Sequence, residues 1–232
     1  ILKEPPVPSM TLKATLREHL VEGNLEEIAE MARGRRKVLG SLLALTFDPE
    51  PEVVWRAVEA QGMGAEALSG ESPSYVREHV RRLFWLITEE SGACFWRAPE
   101  CMAECGARMP RLLASHVSIA FHLIETLEVE DLEHFRPGTL WAVGRLVDVV
   151  PDDELSGVLP LVVQALEEKN PQSRGMAVWC LGRVGEIGVL ADNPHVLEDE
   201  GPVEIYRNRS LERTTVGRLA RQIQDEAMAE AG

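Results

Sequence analysis

The sequence predicts an all-α chain in which helix pairs stack in chain order into a right-handed superhelix, with a small β-hairpin before the last helix. Three observations predict it. A small-residue helical segment recurs, with Ala57, Ala98, Ala142 and Ala177 spaced at 41, 44 and 35 residues, which brackets a two-helix unit of about 40 residues. Bulkier amphipathic segments alternate with those small-faced ones, as stacked helix pairs require. Aromatic residues make up 5% of the chain, and long β-branched or aromatic runs are lacking, which argues against an all-β fold.

Taken in order, residues 1–10 carry three prolines and end at Met10, and read as an extension outside the fold. Residues 11–191 read as the repeat domain. Thr11 to Gly34 give one or two capping helices, broken at Glu22-Gly23-Asn24. Asp48-Pro49-Glu50-Pro51-Glu52 is a turn with an acidic helix start, where negative charge suits the helix dipole. The small-faced segments begin at Trp55, Trp96, Trp141 and Met176. At the position three after the aligned alanine they read Ala60, Cys101, Arg145 and Cys180. Small side chains there let helices approach closely, and Arg145 departs from the rule. The bulky segments are 73–89, 110–125 and 155–168. Their apolar residues, such as Val76, Val80, Leu83 and Ile87, fall at helical spacing.

Residues 192–232 change character. Asp192 to Pro202 read as loop, Val203 to Tyr206 alternate as a strand, and Asn208 to Ser210 turn it back. Thr214 or Thr215 then caps a last helix through about Met228. A terminal cap of altered type suits a solenoid, because the last repeat has no neighbour.

Charge bounds the partners. With 24 Lys and Arg against 38 Asp and Glu the net charge is −14, so nucleic acid is a poor partner. The basic run Arg33, Arg35, Arg36 and Lys37 reads as a solvated helix start. No apolar run reaches membrane-spanning length and no secretory signal is recognised, so a cytoplasmic setting with free thiols is expected.

The segments 48–57 and 170–177, together with Cys180-Leu181-Gly182 and Val184-Gly185, resemble the HEAT repeat and the bilin-lyase type of HEAT-like repeat. The chain also resembles uncharacterised bacterial HEAT-repeat proteins in Trp96–Glu100, Ile205–Arg207 and Thr215–Ala220. The resemblance spans roughly residues 38–228 and implies an α-solenoid. It implies an interaction scaffold rather than an activity, and it implies that second helices line the concave face.

The candidate functional residues follow. Glu89 to Arg97 is a longer connection than a plain repeat needs, with two acids, a glycine, Phe95, Trp96 and Arg97. Loops carry function more often than cores, and Trp and Arg are frequent binding anchors. The opposing reading buries Phe95 and Trp96 under the stack. Arg77 and Arg81 are i, i+4 neighbours able to meet an acidic ligand, or to pair with acids such as Glu78. The binding candidates are therefore Arg77, Arg81, Glu89, Trp96, Arg97 and His122. His116 and His122 are six residues apart and share no helical face, which favours a structural or surface role.

Cys94, Cys101 and Cys105, with His116 or His122, are the weak metal candidates. Their spacing fits no standard zinc or iron–sulfur motif, and a small buried thiol accounts for Cys101 and Cys180 equally well. No cofactor is implied and no catalytic set is complete. The leading expectation is a non-catalytic scaffold that takes a protein or peptide partner on its concave face. An enzyme accessory of bilin-lyase type and a metal or redox sensor are the alternatives.

Overall fold

A computed structural model describes residues 11–88, 97–129 and 133–230. The expected extension 1–10 lies outside the described residues. The elements are α1 (Leu12–Glu22), α2 (Leu25–Ala32), α3 (Lys37–Leu45), α4 (Pro51–Ser69), α5 (Pro73–Thr88), α6 (Ala98–Arg108) and α7 (Ala114–Val129). A 3-10 turn (Glu133–Phe135) leads into α8 (Arg136–Leu146), α9 (Asp152–Gln164) and α10 (Pro171–Val184). The chain closes with α11 (Ile187–Asp192), α12 (Pro194–Leu197), β1 (Pro202–Arg207), β2 (Ser210–Thr215) and α13 (Val216–Glu230). The expected α-solenoid with a C-terminal hairpin is what forms.

Local chemistry sets the boundaries. Thr11 Oγ1 accepts from Ala14 N at 3.3 Å to start α1, and Gly23 at φ 77° ends it, as the Glu22-Gly23-Asn24 break predicts. Asn170 Oδ1 accepts from Gln172 N at 2.9 Å and Pro171 takes the first turn of α10. Thr215 Oγ1 accepts from Arg218 N at the start of α13. The region expected to be loop after Asp192 instead holds α12, whose first residue is Pro194.

The helices form two layers. The inner layer is the column α2, α4, α6, α8, α10, α13, each packed on the next; α3, α5, α7 and α9 cover its other side. Small residues decide the inner spacing. A Cβ on Gly62 would lie 2.9 Å from the Glu104 carbonyl oxygen, and one on Gly144 would lie 2.6 Å from the Trp179 ring. Ala57, Ala60, Ala98, Cys101, Ala142, Ala177 and Cys180 are fully buried between neighbours.

Arginines stitch α6, α8 and α10 each to the inner-helix region before it. Arg108 reaches Glu66, Arg145 reaches Glu104, and Arg183 reaches Asp148, across 42, 41 and 35 residues. These separations are the repeat period itself. Arg145, the departure from the small-residue pattern, is a rung of this ladder: its guanidinium holds the Glu104 carboxylate at 2.9 and 3.4 Å. At the other ends, Arg56 donates to the carbonyls of Leu20 and Val21, Arg136 to that of Ile124, and Arg174 to those of Glu168 and Lys169. The Leu20 and Val21 carbonyls belong to the last turn of α1, where a helix leaves such groups unsatisfied.

A buried polar bridge fixes α3, α4 and α5. Gln61 Nε2 donates to Leu39 O at 2.9 Å, so Gln61 Oε1 must accept from His79 Nε2 at 3.0 Å. His79 therefore carries a proton on Nε2, and burial, with the Arg82 charge, lowers its pKa to about 4, which leaves the ring neutral at pH 7. The unfolded chain takes up that proton below the ordinary value of 6.5. Stability from this site is then complete above pH 6.5 and declines as pH falls toward 4, by up to roughly 3 kcal/mol. Urea midpoints measured between pH 7 and pH 4.5 should fall more steeply for the wild type than for His79→Gln.

Candidate functional site

The inner face carries the hairpin. Antiparallel pairing runs from Pro202↔Thr215 to Arg207↔Ser210, which leaves Asn208 and Arg209 as a two-residue turn. Both have positive φ, 52° and 61°, the conformation of a type I′ turn. Asn adopts it readily, whereas Arg does so at a cost of about 1–2 kcal/mol. Arg209 is held there by Glu26 at 2.6 Å and Glu59 at 3.3 Å.

Alternation along β1 puts Val203 and Ile205 on one face and Glu204 and Tyr206 on the other. Val203 lies against Gly175 of α10, and Gln172 clamps β1 by accepting from Glu204 N and donating to Glu204 O. Tyr206 stacks on Trp55 of α4 at 5.7 Å and donates to Glu59 at 2.7 Å. Burial, then the Glu59 charge, pushes its hydroxyl pKa up, so it remains a donor. A six-residue strand reaches about 20 Å, while four helices at 8–10 Å spacing extend about 30 Å in a straight row. One strand can join α10 to α4 only because the column bends around it. Trp55 and Trp141, on α4 and α8, accordingly meet at 5.2 Å past the intervening α6.

A cavity of about 260 Å³ remains between this hairpin and the N-terminal ends of α6, α8 and α10. Arg97 and Glu100 line it, with Trp55, Gly138, Gln172 and Glu204. Arg97 lies 4.5 Å over the Trp55 ring and holds Glu100 Oε1 at 2.8 Å.

The outward face differs. Arg77, Arg81 and Trp85 follow at i, i+4 and i+8 on α5. Arg81 lies 4.7 Å over the Trp85 ring, and Trp85 is 51% exposed. His116 of α7 is near enough that burial first, then the charges of Arg77 and Arg81, lower its pKa. Ile119, one turn on, is exposed as well.

The four binding candidates that fall among the described residues, Arg77, Arg81, Arg97 and His122, do not converge. Arg77 and Arg81 share the outward face, away from the hairpin. Arg97 lies at the inner cavity. His122 is spent between Glu125 at 3.0 Å and Glu154 at 3.3 Å. Glu89, Trp96 and Cys94 lie outside the described residues. Cys101 and Cys105 are fully buried, and burial raises both thiol pKa values, Cys105 to about 12. Among the described residues no cluster of three His, Cys, Asp or Glu is arranged to hold a metal ion, and no helix is long and apolar enough to cross a membrane. Glu100, Tyr206 and Trp85 escaped the sequence reading. A glutamate three residues after Arg97 was a visible signal for the first, but nothing in the sequence announces which wall the Tyr206 ring meets.

The segment from the 3-10 turn through α10 decides the relationship, since residues 133–184 match the family model of the HEAT-like repeat. That segment is a HEAT-like repeat. An uncharacterised protein of Archaeoglobus fulgidus is 26% identical over 187 residues, covering 78% of this chain and 94% of its own length. Designed armadillo repeat proteins are similar at 17% identity, with TM-scores of 0.45 and 0.43, covering 94% of this chain and 99% of theirs. One of them was designed for modular peptide recognition. The hairpin lies beyond the matched repeat.

Proposed function

We propose that this chain is a non-catalytic protein-interaction scaffold whose partner docks on the outward face of α5 and α7. The inner face is lined by the chain's own hairpin. The reading is carried by exposed Trp85 with Arg81 stacked on it, beside Arg77. Trp and Arg dominate interface hot spots because they combine apolar area with directional donors. Arg81 and Arg82 share the single carboxylate of Glu78, so with Arg77 this face keeps a net positive charge in a chain of net charge −14, which favours a partner with acidic and apolar side chains.

The test is affinity capture from the native host with the wild type, Trp85→Ala, Arg77→Glu and a control, Arg218→Glu, all matched by circular dichroism. A partner bound by the wild type and control should be lost from the first two variants. A 2 kcal/mol hot spot corresponds to roughly a 30-fold drop in affinity. Equal recovery by all four proteins would refute this docking face.

A further inference from the structure

The inner cavity contains one feature the scaffold reading leaves unused. Glu100 is 1% exposed, and only one of its oxygens is engaged. Oε1 meets Arg97, while Oε2 is buried with no hydrogen-bond partner. An unpaired buried carboxylate oxygen is costly. The carboxylate sits against Gly138, where a Cβ would lie 2.8 Å from both oxygens. A side chain at 138 would therefore exclude it. Gly138 is in the first turn of α8, whose free N–H groups and dipole favour a negative charge there.

Across the cavity stands a second carboxylate, Glu204, whose outer side pairs with Arg213. Trp55 and Met176 supply apolar wall. The volume is below the range of about 300–1,000 Å³ typical of drug-sized ligands and suits one long side chain or a ligand of that size. The Arg97 guanidinium already shows how the site treats a cation, with a ring beneath it and a carboxylate at its edge.

We propose that this cavity receives one organic cation, an ammonium or guanidinium group on an alkyl stem, with Glu100 Oε2 as its principal acceptor and Glu204 as its second. The stem lies along Met176 and the edge of the Trp55 ring, since Arg97 and Tyr206 already stack on that ring. Such a group could be carried by a free amine or by a lysine or arginine of a bound peptide. This inference is independent of the docking face on α5 and α7.

The experiment is an NMR titration of the full chain, following the Trp55 indole N–H and the Gly138 amide. The probes are agmatine and n-butylamine as free cations, a blocked Gly-Arg-Gly tripeptide as the peptide source, and inorganic phosphate as the opposite charge. Saturable shifts of both signals with agmatine or butylamine, but not with the tripeptide, assign a free ligand. Stronger saturation with the tripeptide assigns a peptide side chain. Glu100→Gln should weaken the effective probe roughly tenfold, as expected when a charge-assisted hydrogen bond is lost. Glu204→Gln, on a partly exposed wall and no threat to folding, should weaken it severalfold. Loss of saturable shifts for every cation, undiminished binding in Glu204→Gln, or preference for phosphate would each overturn the proposal.

Discussion

Replacing Tyr206 with Ala is expected to lower the unfolding free energy by about 3–4 kcal/mol, the usual loss for a large buried aromatic. The ring stacks on Trp55 and the hydroxyl meets Glu59. Tyr206→Phe separates the two contributions. It keeps the ring and removes only a hydrogen bond to a charged acceptor, worth about 1.5–3 kcal/mol. Glu59 also has Arg108 and Arg209 within ion-pair distance, so its loss should sit at the low end. Urea unfolding gives both numbers, and amide exchange locates them: protection should fall across 202–215 first. A Tyr206→Ala cost below ~1 kcal/mol would mean that the hairpin is not docked.

The second large effect is at Glu104. Removing one partner of a buried ion pair strands the other, and fully buried cases lose about 3–5 kcal/mol. Arg145 keeps 30% side-chain exposure against 7% for Glu104, so water recovers part of the stranded guanidinium. Glu104→Ala should therefore cost about 2–3 kcal/mol. Arg145→Ala should cost less, about 1–2 kcal/mol, because Glu104 still has Arg108 at 3.5 Å. A double-mutant cycle measures their coupling directly. Equal costs for the two single variants would contradict this ordering.

The stacking order was legible because it is written in local terms. Alanines and cysteines recurring every 35–44 residues mark close helix approach, and Gly23, Asn170 and Thr215 punctuate the chain by rules that need no tertiary context. The hairpin's strands were legible for the same reason: alternation and an Asn-initiated turn are short-range signals. The candidate site was far less legible. Arg77 and Arg81 were picked out as a pair, but the face they occupy depends on which layer the bulky helices form. Arg145 looked like a flaw in the pattern until Glu104, 41 residues earlier, supplied its partner. Gln61 and His79 carry no pattern at all, since a buried polar pair is defined only by what packing brings together.

The hairpin that links α10 to α4 and α2 changes how this molecule behaves as an assembly. In an open array each unit answers only to its neighbours, so it can unzip from one end and units can be added or removed. Here Tyr206 bonds a residue 147 positions away and Arg209 one 183 positions away, so the two ends are buckled together. Melting from one end must first undo the buckle, which favours a single cooperative transition over fraying. The same fastening fixes the number of units: an inserted or deleted helix pair would leave the buckle out of register with Glu59 and Glu26.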